Sequence, residues 1–233
     1  MYTFQSRIRY TELNHRKGTM DPSAIINYFQ DCSTFQSEDL NIGLSYLQEQ
    51  KRFWLLTSWQ LHIHKQGRLG EHITVGTWPY DFKGFYGYRN FIMKNKEGEL
   101  LAVADSIWAN IDMETGVPFK IPENHGYVLE PPYPMEHMGR KVSIPDRLEP
   151  LAPFPVRKSN IDSYNHVNNG QYIKMAEEFL PEDFNVSLLR VEYRKQALLG
   201  DIIYPMIARK DKTCTIVLSD DSGKPYTILE FRD

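Results

Sequence analysis

The chain has 233 residues, enough for one large domain or for two domains of roughly 110 residues each. Charged residues make up 24% of the chain and hydrophobic residues 41%, an ordinary composition for a globular protein. The formal net charge of -3 argues against a general nucleic-acid-binding protein, which would usually be basic.

The two cysteines, Cys32 and Cys214, form neither a CxxC pair nor a zinc-ligand spacing. We expect two buried free thiols in a reducing compartment, with a single disulfide as the alternative. The N-terminal segment lacks the apolar core of a signal peptide, and no apolar run approaches the roughly 18 residues of a membrane span. The sequence therefore predicts a cytoplasmic protein without a membrane span.

The first half begins with a short predicted strand at residues 4–10, which is followed by a helix. Asp21 and Pro22 are typical of a helix start, an N-cap acid before proline at the first helical position. Apolar residues then recur at steps of three and four, which predicts a helix with one apolar face that ends near residues 41–43. The residues on this face are Ile25, Phe29, Cys32, Phe35 and Gln36.

Four segments rich in aromatic and β-branched residues follow this helix, and glycine-containing turns separate most of them. They predict an antiparallel meander. The segments are residues 53–64, 73–80, 85–94 and 100–112.

The pattern repeats after a proline-rich stretch at residues 122–155, which holds eight of the fourteen prolines and predicts an extended linker. A short strand at residues 154–158 precedes a helix at residues 169–180, which Pro181 stops. Four strands are predicted beyond it, at residues 187–194, 201–210, 213–219 and 225–232. The sequence thus predicts a duplicated α+β unit in which one helix covers a curved antiparallel sheet.

The densest polar cluster, residues 160–169, lies immediately before the second helix. A helix N-terminus carries unpaired N–H groups and partial positive charge, so it can polarise a carbonyl group or hold an oxyanion. Asp162 and His166 beside such a start could activate water, although most such clusters only cap a helix and shape a turn. The equivalent stretch of the first half, residues 14–18, has no such cluster.

The loop DSYNHVNNGQY at residues 162–172 resembles the D-x-N-x-H-V-N-N loop of acyl-ACP thioesterases, which have a double hotdog fold. Five further stretches resemble the same family in the same order, and together the six lie between residues 8 and 201. They are IRYTELN, IINYFQDCS, TWPYDFKGFYGYRNF, ADSIWANIDMETGVPFKIPE and VEYRKQALLGD.

This resemblance implies two tandem hotdog folds, each an antiparallel sheet wrapped around a long helix. Residues 1–125 would bind the acyl chain, residues 126–152 would link the halves, and residues 153–233 would carry out catalysis. The implied reaction is hydrolysis of long-chain fatty acyl-ACP thioesters, which releases free fatty acid and ends chain elongation. It requires no metal and no other cofactor, and the implied partner is acyl carrier protein, with the enzyme a monomer or a homodimer.

Asp162, His166, Asn168 and Gln196 are the residues that the resemblance assigns to catalysis. Those it assigns to substrate binding are Ile25, Phe29, Cys32 and Asn169.

Three positions depart from the family pattern. Tyr164 replaces an asparagine, Gln196 replaces a glutamate, and Ala197 replaces a cysteine that often neighbours that glutamate. Glutamine can orient a water molecule but is a poor base, so Asp162 and His166 would carry more of the proton transfer. Two alternatives stay open. One is an acyl-CoA thioesterase of the same fold, and the other is a non-catalytic acyl-binding hotdog protein, which the Gln196 and Tyr164 departures favour.

Three basic pairs are candidates to meet the acidic surface of a carrier protein, although solvated surface charge is the simpler interpretation. The pairs are Arg140–Lys141, Arg157–Lys158 and Arg194–Lys195.

Overall fold

The protein is described here by a computed structural model that covers residues 1–15, 17–162 and 165–233. Its chain divides into two compact units. The first unit comprises Met1–Thr57 and Leu61–Met138, and the second comprises Ser58–Gln60 and Gly139–Asp233. Among the described residues, no helix combines the length and apolar character that crossing a membrane requires.

The first unit contains a sheet whose strands follow the order β1-β3-β4-β5-β2. Its strands are β1 (Tyr2–Arg7), β2 (Arg52–Ile63), β3 (His72–Lys83), β4 (Tyr86–Asn95) and β5 (Leu100–Asp112). The pairs β1–β3, β3–β4 and β4–β5 are antiparallel. Helix α1 (Pro22–Asp39) packs on β1 and β3, and a short helix α2 (Leu44–Glu49) follows it.

Helix α1 begins where the Asp21–Pro22 pair predicts, with proline in its first turn. Most of its predicted apolar face is buried, and Phe29 stacks on Phe91 of β4 with ring centroids 5.2 Å apart. Phe35 departs from the prediction, because its side chain is exposed. Full burial of a side chain of this size stabilises a fold by about 1.5–3 kcal/mol. The burial of this face therefore anchors α1 to the sheet of the first unit.

The second unit contains a sheet in the order β8-β11-β10-β9-β6, with β7 also paired to β9. Its strands are β6 (Glu149–Pro150), β7 (Phe154–Pro155), β8 (Leu188–Tyr193), β9 (Ile202–Lys210), β10 (Thr213–Ser219) and β11 (Pro225–Arg232). The pairs β8–β11, β11–β10, β10–β9, β9–β6 and β9–β7 are antiparallel. Helix α3 (Asn169–Glu177) packs on β10 and β11.

The observed elements differ from the predicted ones in small ways. Helix α3 ends at Glu177 rather than at Leu180, because the N–H groups of Phe179 and Leu180 bond to the carbonyl three residues earlier and tighten the last turn. Helix α2 was not predicted, since six residues are too few to show a clear periodicity. Strand β6 lies within the stretch predicted to be only an extended linker.

Candidate active site

The polar loop before α3 is closed by the backbone at its base. Ile161 and Val167 form an antiparallel bridge, and the N–H of Asp162 donates to the carbonyl of His166 at 2.9 Å. Asn165 has a φ of 62°, in the left-handed region that asparagine tolerates better than most residues. This pairing brings Asp162 and His166 side by side although four residues separate them along the chain.

The Asp162 carboxylate folds back onto this loop, where Oδ1 lies 3.4 Å from the N–H of His166. Both residues are half-buried, so their side chains retain access to solvent. An acid and an imidazole in this setting can position or activate a water molecule. Ser163 and Tyr164 lie outside the described residues, and the predicted departure from the family pattern at Tyr164 therefore lies outside them too.

Asn168 caps helix α3. Its side-chain oxygen accepts the N–H of Gly170 at 2.9 Å, and its own N–H donates to the carbonyl of Asn160 at 3.0 Å. The cap uses the oxygen of the amide and leaves its N–H₂ end as the group that could donate to a ligand. Asn169, the first helical residue, is half-buried beside it. The start of α3 therefore combines a fixed backbone with the positive end of a helix dipole.

Two tyrosines, the buried Tyr172 and the half-buried Tyr193, hold this region in place. The hydroxyl of Tyr193 on β8 donates to the carbonyl of Asn169 at 2.9 Å. The hydroxyl of Tyr172 accepts the N–H of Ala197 at 2.7 Å. Burial raises the pKa of both phenols, so both hydroxyls stay protonated at neutral pH. Sequence analysis did not single out these tyrosines, because a tyrosine in an apolar strand or helix resembles an ordinary core residue.

Gln196 lies in the segment that follows β8, and it is exposed. The carbonyl of the next residue, Ala197, accepts the N–H of Val167 from the polar loop at 3.0 Å. The backbone thus brings the Gln196 segment and the polar loop together. An amide in this place can orient a water molecule but cannot remove its proton.

The predicted acyl-binding face of α1 lies in the interior of the first unit. Ile25, Phe29 and Cys32 are at most 3% exposed. The Cys32 thiol lies 3.6 Å from the carbonyl of Val75, and burial raises its pKa to about 12. These are the contacts of a close-packed interior, so an acyl chain on this face would have to displace side chains or run beside them.

Arg89 of β4 brings a charge to the same interior, and sequence analysis did not single it out as a site residue. Its guanidinium donates to the Gln36 side chain and to the hydroxyl of Thr77, and it lies 5.1 Å from the centre of the Tyr127 ring. All three partners are neutral, and desolvation lowers the pKa of Arg89. The C-terminal half of the buried α1 face therefore meets a polar cluster, whereas its N-terminal half meets apolar side chains.

A cleft of about 860 Å³ is lined mostly by charged and polar side chains of the first unit and by none of the predicted site residues. Its walls include Lys65, Arg68, Glu71 and Glu99. Apolar linings are typical of acyl-binding pockets, so this cleft does not have the chemistry of one. Within the described residues, no group of three histidine, cysteine or carboxylate side chains could hold a metal ion.

Solved structures establish the fold class. An acyl-ACP thioesterase from Bacteroides thetaiotaomicron superposes with a TM-score of 0.90 and 20% identity, over 99% of this chain and 96% of that one. The 12:0-ACP thioesterase from Umbellularia californica superposes with a TM-score of 0.84 and 15% identity, over 100% and 97% of the two chains. The chain therefore has the predicted α+β double hotdog fold.

Sequence comparison then identifies the family. The profile of the acyl-ACP thioesterase N-terminal domain matches residues 1–127, and that of the C-terminal domain matches residues 146–226. The chain belongs to the acyl-ACP thioesterase family, as the motifs predicted.

Curated relatives of this chain include plant proteins. A chloroplastic palmitoyl-acyl carrier protein thioesterase of Gossypium hirsutum is 29% identical over 175 residues, 68% of this chain and 41% of that protein. Oleoyl-acyl carrier protein thioesterase 1 of Arabidopsis thaliana is 23% identical over 168 residues, 64% and 46% of the two chains. The matched region thus spans less than half the length of these two relatives.

Proposed function

We propose that this protein hydrolyses long-chain fatty acyl thioesters carried on acyl carrier protein, releasing free fatty acid and ending chain elongation. One observation carries the proposal: a member of the acyl-ACP thioesterase family keeps an acid, a histidine and a capped helix start together in its second unit. The remaining predictions of a cytoplasmic location and a monomeric or homodimeric state belong to the same proposal.

In this proposal, the two units have different roles. Residues 1–125 bind the acyl chain against the α1 face formed by Ile25, Phe29 and Cys32, and residues 153–233 carry the chemistry. The linker then spans residues 126–152. The duplication supports this division, because only the second unit has a polar cluster at its helix start.

The reaction needs only protein groups and water. A water molecule positioned by Gln196 and activated by Asp162 and His166 adds to the thioester carbonyl carbon. The developing oxyanion is stabilised at the start of α3, where Asn168 and Asn169 lie. The C–S bond then breaks, and the departing thiolate takes up the proton that the water lost, with His166 as its carrier.

Release of free thiol from one acyl group on three carriers tests this proposal. We expect turnover to be fastest with acyl carrier protein, slower with coenzyme A and slowest with a small thiol, because only the protein carrier can add surface contacts. Equal or faster turnover of acyl-CoA would instead identify an acyl-CoA thioesterase.

The exposed, non-acidic Gln196 favours a second candidate, a non-catalytic acyl-binding protein. Stoichiometric binding of the acyl thioester without any release of thiol would support that candidate and contradict hydrolysis. The Asp162→Asn variant is the control, because residual thiol release that it does not lower comes from a contaminant or from uncatalysed hydrolysis.

A further inference from the structure

The structure distinguishes the three basic pairs that the sequence offers to an acidic partner. In the pair after β8, Arg194 is bonded to Glu192 at 2.9 Å and Lys195 to Asp220 at 2.7 Å. Their charges are therefore already balanced within the protein. In the linker pair, Arg140 is half-buried and makes interactions of its own.

The remaining pair, Arg157 and Lys158, is exposed, and neither side chain has an acidic partner among the described residues. Lys158 begins a 3₁₀ turn, Lys158–Asn160, that leads directly into the polar loop. Two uncompensated cations thus lie directly before the polar loop along the chain. In a chain with a net charge of -3, such a pair creates a local potential opposite in sign to that of the whole molecule.

An apolar turn lies beside this pair. The N–H of Val156 donates to the carbonyl of Asp201 at 2.8 Å, which joins the basic segment to the turn that precedes β9. Leu198 and Leu199 on that turn are 49% and 53% exposed. The turn follows Ala197, whose carbonyl holds the polar loop, so all three segments share backbone hydrogen bonds.

The acid on this turn does not cancel the basic pair. The Asp201 carboxylate accepts the N–H of Leu198 at 2.9 Å and the hydroxyl of Tyr226 at 3.1 Å. Its charge is therefore partly neutralised by donors from its own turn and from β11. The surface presents adjacent cations and leucines, a combination suited to a partner with acidic and apolar groups on one face.

We propose that Arg157, Lys158, Leu198 and Leu199 form the docking surface for the acyl carrier protein, which would meet them with an acidic face while its thioester reaches the polar loop. This inference rests on the proposed function. Opposite charges at the rim of an interface raise the association rate more than they slow dissociation. The docking surface should therefore affect kcat/KM for the protein carrier and leave the chemical step unchanged.

A double charge reversal tests the surface. We expect Arg157→Glu/Lys158→Glu to lower kcat/KM for acyl-ACP by about tenfold or more at low salt. The same variant should hydrolyse the same acyl group on a small thiol within about twofold of the parent, because that substrate has no carrier surface to lose. Added salt should lower the parent's kcat/KM for acyl-ACP and reduce the difference between parent and variant.

A matched control lies at the opposite end of β9. Lys210→Glu/Lys212→Glu makes the same change in net charge at two exposed lysines. Lys210 is the last residue of β9, about 25 Å along the strand from Ile202 at roughly 3.3 Å per residue, and Lys212 lies in the turn beyond it. We expect this control to keep kcat/KM for acyl-ACP within about twofold of the parent. If both double variants lost the same fraction of kcat/KM for acyl-ACP, net charge alone would explain the loss. The proposed docking surface would then be wrong.

A second variant separates contact from charge. Leu198→Ser/Leu199→Ser leaves the charge unchanged, and we expect it to weaken acyl-ACP turnover without changing its salt dependence. If the charge reversal slowed the small thioester as much as acyl-ACP, or slowed neither, the docking assignment would be wrong.

Two further measurements keep the docking inference separate from the proposed function. If the parent releases no thiol from any substrate, the proposed function fails, and direct binding of acyl-ACP to parent and charge-reversed variant still decides the docking surface. If the reversal instead abolishes binding to anionic lipid vesicles and leaves acyl-ACP binding unchanged, the surface is a membrane contact and the inference is overturned.

Discussion

The helices of the two units begin in different ways. Helix α1 starts after Asp21, whose carboxylate accepts the Asn14 side chain at 3.0 Å, and it continues for 18 residues with a buried apolar face. Helix α3 has 9 residues and starts after Asn168, which caps it beside the Asp162–His166 pair. In the same architecture, α1 thus buries apolar residues, whereas the start of α3 carries polar groups. The variants below test this difference between the two units.

The largest expected effect comes from the polar loop. Removing a positioned acid–base group costs about 10²–10⁴ in rate, so we expect Asp162→Asn and His166→Ala each to lower kcat by about 10²-fold or more. Steady-state thiol release measures this loss, with circular dichroism to verify the fold. The matched control is His15→Ala in the equivalent loop of the first unit, where His15 is exposed and kcat should not change. Near-full activity in a folded Asp162→Asn or His166→Ala protein would remove that residue from the mechanism.

A smaller effect is expected in the first unit. Cys32 is the smallest residue on the predicted acyl-binding face, so Cys32→Phe should exclude the distal carbons of a long chain. Each excluded methylene removes about 0.8 kcal/mol, so the ratio of long-chain to short-chain kcat/KM should fall by about tenfold. Turnover measured across a series of acyl-ACP chain lengths gives this ratio.

Overpacking alone would give a different result, since it lowers stability by about 1–3 kcal/mol and leaves the chain-length ratio unchanged. Cys214→Phe provides the comparison, because Cys214 is equally buried but lies in the second unit. A folded Cys32→Phe protein with the parent's chain-length profile would exclude this position from the acyl-binding face. The same result at Ile25 and Phe29 would contradict acyl binding by the first unit.

Tyr193→Phe should have a milder effect on the second unit. Loss of its hydrogen bond to the carbonyl of Asn169 frees the helix start, and we expect kcat to fall about fivefold, equivalent to about 1 kcal/mol, with little change in KM. Tyr28→Phe is the control in the first unit, where the hydroxyl lies 3.0 Å from the carbonyl oxygen of Arg7 and 2.8 Å from the Glu12 carboxylate and shares its single hydrogen between these two acceptors. Both variants should lose stability in thermal unfolding, but only Tyr193→Phe should lose kcat. If Tyr193→Phe and Tyr28→Phe had equal kcat values, Tyr193 would contribute to stability and not to catalysis.

The smallest effect is expected from removing both thiols. Burial raises the pKa of Cys32 to about 12 and also raises that of Cys214, so neither forms the thiolate that nucleophilic attack requires at neutral pH. Cys32→Ala/Cys214→Ala should therefore keep kcat within a few-fold of the parent. If the folded double variant releases no thiol, water cannot be the nucleophile in this mechanism.

The sequence predicted the duplicated architecture well because each element has a strong local signal. Short runs of apolar and β-branched residues predicted β10 and β11 at their observed bounds, and the Asp21–Pro22 pair predicted the start of α1. The polar loop was visible because so many hydrogen-bonding side chains cluster before one helix. Its assignment to a thioesterase came from the family resemblance rather than from the cluster itself.

The remaining features depend on partners that sequence does not reveal. The hydroxyls of Tyr172 and Tyr193 bond to backbone groups, and no residue type marks those groups in advance. The acidic partners Glu192 and Asp220 distinguish the pair Arg194–Lys195 from the other basic pairs. Asp220 lies 25 residues from Lys195 along the chain. Long-range pairings of this kind follow from strand register, which only the folded chain defines.

The distribution of the two free cysteines has a practical consequence: each unit carries one buried thiol, Cys32 in the first and Cys214 in the second. A thiol reagent can reach either sulfur only when the surrounding structure opens. The labelling rate of each site, resolved by mass spectrometry of peptides, therefore reports the free energy of local opening in its own unit. The native protein thus contains a pair of internal reporters that can show, without any engineered residue, whether an acyl ligand stabilises one unit or both.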